Sequence, residues 1–266
     1  MEKMELLQKK YPDLVIQKDI PLAPYTTLRV GGKADYLLTA EEEDTFCGVV
    51  RFLKENEIPF LVLGNGSNLL VKDGGFRGAV VRMGKEFSRI ERTEDGLYAQ
   101  SGALMSVLAK AACEYGLTGL EFAQGIPGSV GGGVYMNAGA YGGEMSQVVK
   151  YVRLFDGEKV MDVPVEEMAF RYRHSLAMDV GGLILGAAFR LEQGDQAEIE
   201  EKMKQLPQYE YNIVLVNDCS PDGTLATIRR LCEEKPYVKG VSFARNFGQH
   251  AALMAGLRHT DGDYVV

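Results

Sequence analysis

The sequence has little with which to hold a metal ion or a disulfide framework. Its three histidines, His174, His250 and His259, fall at no metal-ligand spacing. The four cysteines (Cys47, Cys113, Cys219 and Cys232) sit far apart without a CxxC pair. Neither a zinc site nor disulfides are expected, and buried thiols of a reducing cytoplasm are. Positive charge is also short, the formal net charge being -8. This argues against a nucleic-acid partner, which draws on a basic surface to neutralise phosphates, yet leaves room for a few arginines to hold a small anionic substrate. No run approaches the roughly 20 apolar residues that span a bilayer, so no membrane insertion is expected. Met1 to Lys10 carries charges throughout in place of the apolar core of a signal peptide, and a cytoplasmic location is expected. There is no internal repeat.

What is present is core-forming material. At 266 residues and 46% hydrophobic content the chain can bury one large core or two modest ones, given domains of roughly 100 to 150 residues. More than one lobe is expected.

The spacing predicts a short helix over Glu2 to Lys10, an extended stretch through Ile20-Pro21, and a strand from Ala34 to Leu38. Thr39, followed three residues later by Glu42, has the pattern of a capping box. The helix it opens should run to about Glu55 with Phe46, Val49, Val50 and Leu53 on one face. Pro59 to Leu63 is a continuous apolar run and reads as a buried strand. A helix over Leu104 to Tyr115, with Leu104, Val107, Leu108 and Ala111 as its stripe, should end at Gly116. Val149 to Phe155 and Lys159 to Val163 flank Asp156-Gly157 as a hairpin, because Asp-Gly takes the positive φ of a tight turn. Gly182 to Leu191 is a further strand.

From Glu192 the character changes. Gln193 to Gln205 is polar and reads as a solvated helix that Pro207 stops. Beyond it strand, helix, strand, helix, strand follow at Asn212 to Val216, Pro221 to Glu234, Val238 to Phe243, Gln249 to Arg258 and Tyr264 to Val266. That alternation implies a parallel sheet. The expected fold class is α+β, in four parts: an extension 1-23, a module 24-192 with lobes 24-84 and 85-192, a junction helix 193-208, and a partial α/β parallel-sheet fragment 209-266.

Two glycine-rich stretches carry the chemistry. Gly64-Asn65-Gly66-Ser67-Asn68 leaves a strand with backbone N-H groups free to meet an anion such as a pyrophosphate; an ordinary strand-ending turn has the same composition. No helix with a third glycine follows, so this is not a Rossmann fingerprint. The second stretch holds eight glycines between Gly125 and Gly143. Interleaved with Ile126, Val130, Val134, Tyr135 and Met136, they are not a linker, and they suit backbone approaching a large flat ligand.

Thr26 to Gly32, the loop after Leu63, Glu121 to Gly143 and Phe170-Arg171-Tyr172-Arg173-His174-Ser175 together resemble the UDP-N-acetylenolpyruvoylglucosamine reductase (UDP-N-acetylmuramate dehydrogenase) family, collinearly from about residue 20 to 203. The resemblance implies a two-lobed FAD-binding module of the p-cresol methylhydroxylase/vanillyl-alcohol oxidase type. It implies reduction of FAD by NADPH and hydride transfer to the enolpyruvyl group of a UDP-sugar substrate, giving UDP-N-acetylmuramate for peptidoglycan. By the same resemblance Gly64, Asn65, Gly66, Ser67 and Asn68 meet the FAD pyrophosphate, and Gly125, Ile126, Gly128, Ser129 and Gly131 line the adenine and flavin side. Asn137, Ala138, Gly139 and Ala140 close the pocket, Tyr172 and Arg173 bind substrate, and Arg173 pairs with its carboxylate, a task that suits a planar guanidinium. The family's proton-donating serine and assisting glutamate lie in stretches like Ser-x-Gly-Ser and Glu-Pro-Glu-Val. Neither occurs after Met203, so impaired turnover is expected, a general acid being worth about a hundred- to ten-thousandfold.

Val216 to Thr224 and Phe243 to Gln249 are similar to nucleotide-sugar glycosyltransferases of the GT-A fold. The likeness implies that Asp218 contacts a nucleotide base and that Arg245 lies near the nucleotide; strand-ending turn chemistry accounts for Asp218 equally. Asp261-Gly262-Asp263 has the spacing of a metal-binding Asp-x-Asp but precedes the last strand and reads as a turn.

Overall fold

Apolar residues run consecutively in the N-terminal strands, as in Leu37-Leu38 and Ala79-Val80-Val81, so that one sheet can bury both faces there. The computed structural model describes residues 2-205 and 213-260. It begins with helix α1 (Glu2–Lys10), strand β1 (Val15–Pro21), β2 (Lys33–Ala40), α2 (Glu43–Glu55), β3 (Phe60–Leu63) and β4 (Phe76–Met83). The sheet order is β1-β2-β4-β3, with β1 antiparallel to β2 and the other pairs parallel. Phe46, Val49, Val50 and Leu53 of α2 are fully buried in one cluster with Leu38, Ala40, Ala79 and Val81 of β2 and β4, each contributing on the order of 1.5 to 3 kcal/mol.

Two expectations fail here. Thr39 does not cap α2; it stays in β2, paired with Val15 on one side and Arg82 on the other. The helix instead starts at Glu43 behind Glu42, without a side-chain cap, because ladder pairing on both sides outweighs one capping bond. Nor is β3 a buried strand: it is the sheet edge, and Phe60, Leu61 and Val62 are only partly covered.

The second lobe is an antiparallel five-stranded sheet. It contains β5 (Ile90–Thr93), β6 (Gly96–Gln100), α3 (Met105–Glu114), β7 (Leu117–Thr118), α4 (Val130–Tyr135), β8 (Gly139–Ala140), β9 (Gly143–Glu144), α5 (Met145–Val148), β10 (Val149–Phe155), β11 (Val160–Pro164), α6 (Leu176–Asp179), β12 (Leu183–Arg190), β13 (Glu192–Gln193) and α7 (Gln196–Gln205). The main sheet runs β11-β10-β12-β6-β5. The β10-β11 hairpin turns as expected: Gly157 has φ +109° and Asp156 Oδ1 accepts the N-H groups of Glu158 and Lys159.

The stripe of α3 is rotated from the expected one. Met105, Leu108, Ala109, Ala112 and Cys113 are buried, whereas Leu104 and Val107 are exposed. Leu104 is extended and precedes the helix, which shifts the buried face by one residue. Gly116 follows the helix with φ +65°. In α7 the expected solvated helix starts later, at Gln196, after β13 has paired with β7. Asp195 Oδ1 accepts the N-H groups of Ala197 and Glu198, and Ile199 is buried.

The chain divides into two compact units, Met1–Leu206 and Pro207–Val266. Within the second, β14 (Ile213–Asn217) and β15 (Val238–Ser242) pair in parallel, with α8 (Thr224–Glu234) and α9 (Gln249–Arg258) as helices. Helix α8 begins at Thr224 rather than Pro221, because Asp222 Oδ1 accepts the Thr224 N-H at 2.9 Å and Ser220 N-H turns back to Asn217 Oδ1. The Pro207 stop, the fragment's start from Tyr209 to Asn212, Asp261-Gly262-Asp263 and the strand Tyr264 to Val266 lie outside the described residues. Among those described, no helix is long and apolar enough to cross a membrane.

Candidate flavin site

Strands β3 and β4 run parallel and end side by side, Leu63 pairing with Arg82. Ligands of open α/β sheets sit beyond such strand ends, and here the loop Gly64 to Asn68 begins. A cavity of about 400 Å³ opens at this edge. Phe60 to Asn65, Arg82 and Met83 form its first-lobe wall, and Ser101, Gly102, Leu104, Ser129, Gly131, Gly132, Tyr135 and Gly181 to Ile184 its second-lobe wall. The half-covered apolar side chains of β3 are therefore cavity wall. A second cavity of about 360 Å³ adjoins it, lined by Pro24 to Thr27 and Arg29 and sharing Gly64, Asn65 and Arg82.

The two glycine-rich stretches meet at this cavity. A Cβ on Gly64 would lie 2.5 Å from Ser129 Oγ, and one on Gly131 would lie 2.6 Å from the Ser101 Cβ. Ser67 Oγ donates to the Pro127 carbonyl at 2.8 Å. Glycine thus serves close packing of protein on protein, as well as leaving the wall bare. Of the residues assigned to FAD by resemblance, Gly64, Asn65, Ser129 and Gly131 line the cavity; the others do not. The Gly66 carbonyl accepts the Thr27 N-H, Ile126 packs against the core of the second lobe, and the Gly128 carbonyl accepts the Met105 N-H. Asn68 and Gly125 flank the cavity in sequence without entering its wall.

Asn137 to Ala140 hold a loop. Asn137 is buried with φ +42°; its Oδ1 accepts the Ser146 N-H at 2.9 Å and its Nδ2 donates to the Arg171 carbonyl. Ala138 is buried, and Gly139-Ala140 pairs with Gly143-Glu144.

Arg173 sits at the tip of a tight turn closed by reciprocal N-H to carbonyl bonds between Arg171 and His174. Its φ is +54°, and its guanidinium lies 6.0 Å from the ring of Tyr172, which is 89% exposed. The turn is fixed from below. His174 Nε2 lies 2.8 Å from Arg171 Nη2 and 2.9 Å from Asp179 Oδ1, and Ser175 Oγ bonds the Tyr135 carbonyl. Neither Tyr172 nor Arg173 lines the cavity, but their turn is tied to the helix whose Tyr135 does. Sequence reasoning missed Arg82, Leu183 and Ile184, which strand pairing brings here, and Ser101, which follows β6; it named Tyr135 among the residues between the glycines without assigning it to the wall.

In the second unit, Asp218 Oδ1 and Oδ2 accept the N-H groups of Phe247 and Gly248 at 2.7 and 2.8 Å. Arg245 lies 4.8 Å over the Phe247 ring. The carboxylate therefore fixes the loop ahead of α9.

Residues 34–159 match the FAD binding domain family model, and residues 197–266 match that of glycosyl transferase family 2. The UDP-N-acetylenolpyruvoylglucosamine reductase of Clostridium perfringens (strain SM101) is 42% identical over 207 residues, covering 77% of this chain and 68% of that protein. The chain belongs to the UDP-N-acetylenolpyruvoylglucosamine reductase family. The reductase of Clostridioides difficile (strain 630) is 45% identical over 192 residues, and the match spans 63% of its length. Among solved structures, the reductase of Thermus caldophilus superposes with a TM-score of 0.64 at 30% identity, covering 92% of this chain and 94% of that one. An alkyldihydroxyacetonephosphate synthase, at 16% identity and TM-score 0.54 over 72% of this chain and 40% of its own, shares the fold alone. The module of the reductase family is thus the expected α+β fold of the p-cresol methylhydroxylase/vanillyl-alcohol oxidase type.

Proposed function

We propose that the first unit binds FAD in the cavity between its lobes and carries the flavin part of an NADPH-dependent reduction of an enolpyruvyl UDP-sugar. The observation that carries this reading is the meeting of both glycine-rich stretches at one cavity, one on each wall. The walls fit the group: Gly64, Gly131 and Gly132 leave backbone uncovered, Leu61, Leu63, Leu104 and Ile184 offer flat apolar surface, and no carboxylate lines either cavity.

When bound, FAD supplies a carrier that takes hydride from NADPH and passes it to the enolpyruvyl carbon. The protein's part is binding and exclusion of water. The apolar side chains dry the ring side of the cavity, which strengthens polar contacts made there. Gly64 and Asn65 offer backbone N-H groups to the anionic part. Arg173, presented on its braced turn, is the candidate clamp for the substrate carboxylate.

A second reading is flavin binding without turnover. It is favoured by the glycosyl transferase match over residues 197–266, a stretch that holds neither of the patterns that carry the family's serine and glutamate. One experiment addresses both. The purified chain is reconstituted with FAD, mixed anaerobically with NADPH, and then given the enolpyruvyl UDP-sugar. Flavin absorbance and slow bleaching by NADPH are expected, without faster reoxidation on adding the sugar. Absence of bound flavin would refute both readings, and rapid reoxidation would refute the second.

A further inference from the structure

We propose that Arg82 is the cation that holds the diphosphate of the bound dinucleotide, a role that rests on the flavin reading above. Four observations point to it. The pairing of Leu63 with Arg82 sets this side chain beside the residue that opens the Gly64 loop, at the ends of two adjacent parallel strands. Arg82, Gly64 and Asn65 line both cavities, so a ligand reaching from one into the other passes them. The larger cavity has apolar walls suited to a flavin ring. Thr26, Thr27 and Arg29 line the smaller one, which suits the polar remainder of the dinucleotide.

Charge is the third observation. In a chain of net charge -8, Arg82 is the sole charged side chain on the larger cavity's wall, and no described ion pair involves it. Arg82 is partly buried with no carboxylate in ion-pair reach among the described residues, so its guanidinium is open to an entering anion. Fourth, its Cζ lies 4.9 Å over the Tyr25 ring. That stack holds the planar fork in one orientation before the ligand arrives, which favours bidentate phosphate contact. Val80 belongs to the cluster that Tyr25 packs against. Arg82, two residues further on β4, leaves on that same face.

The test uses the full chain stripped of flavin, with Arg82→Gln and Arg82→Lys variants. Dissociation constants for FAD and riboflavin are read from flavin fluorescence, and ADP is titrated as competitor against FAD. Loss of a charged hydrogen bond to phosphate should weaken FAD by about ten- to a hundredfold in Arg82→Gln, and ADP should compete less well. Arg82→Lys should fall between, keeping charge but losing the fork. Riboflavin, which has no diphosphate, should bind all three within about twofold, and its binding also reports that each variant is folded. Equal losses for FAD and riboflavin, or an unchanged FAD affinity in both variants, would overturn the assignment while leaving the flavin reading intact. A wild-type chain that binds neither flavin would overturn the flavin reading and this assignment with it.

Discussion

The hydroxyl of Ser175 donates a 2.7 Å hydrogen bond to the carbonyl of Tyr135, forty residues earlier in the chain. Ser175 is fully buried, and Tyr135 lines the larger cavity. This bond, together with that from Asn137 Nδ2 to the Arg171 carbonyl, ties the turn that presents Arg173 to the glycine-rich segment. Removing the Ser175 donor leaves a part-buried carbonyl without this partner, so Ser175→Ala should cost about 1 kcal/mol of stability. Urea denaturation followed by circular dichroism measures it. An unchanged midpoint would show that the two segments are held together by something other than this bond.

A glycine on the cavity wall and one away from it should differ sharply in tolerance. A side chain at Gly131 would drive into Ser101, whose Cβ would lie 2.6 Å away, whereas a Cβ at Gly74 meets nothing within 4 Å. Gly131→Ala should destabilise the first unit by about 1 to 3 kcal/mol through overpacking and weaken FAD retention with it. Gly74→Ala should leave both unchanged. Thermal melting with and without FAD separates the two effects, and equal behaviour of the variants would contradict the packing described.

How much of this was legible in the sequence depended on which contacts a residue answers to. The buried face of α2 could be read because Phe46, Val49, Val50 and Leu53 answer to helical spacing alone. The apolar run of β3 misled, since a strand whose side chains line a ligand cavity has the same composition as one covered by protein. Leu104 misled for the same reason, completing an apparent helical stripe while lining the cavity. Thr39 and Glu42 offered a local capping signal that pairing with Val15 and Arg82 overrode. The family motif marked Gly64, Asn65, Ser129 and Gly131, which do line the site. It also marked Asn137 to Ala140, whose constraints are the left-handed backbone of Asn137 and its bonds to Ser146 and Arg171. Arg82 was invisible because its significance comes from register across a sheet.

Glu121 gives a pH signature. Burial pushes its carboxyl up, but the Thr118 hydroxyl at 2.6 Å and the Gly119 N-H at 2.7 Å favour the anion, and the net result lies below the ordinary 4.5. A depressed folded pKa contributes stability that is present above the unfolded value and is lost as pH falls through the folded one. The stability gap between wild type and Glu121→Gln should therefore shrink as pH drops from about 5 to about 3. Denaturation midpoints across that range test it; a gap constant with pH would mean that the carboxylate's charge is irrelevant to these bonds.

The last prediction concerns what the flavin site needs. Every residue lining either cavity lies between Pro24 and Ile184, inside the first unit. Its α7 packs on α3 and buries Ile199 while the rest of the helix stays largely exposed, so the solvated junction helix is docked on that unit chiefly through that one side chain. A chain ending after Leu206 should accordingly bind FAD within about twofold of the full chain, since it loses no lining residue. A chain ending after Gln193 should do worse despite keeping the same lining residues. It loses the burial of Ile199, roughly 1.5 to 3 kcal/mol, and uncovers the side of α3 against which α7 packs. Flavin fluorescence titration and thermal melting of the two truncations give the comparison. If the longer truncation failed to take up FAD while remaining folded, residues 207-266 would be contributing to the flavin site directly, and the assignment of that site to the first unit alone would fall.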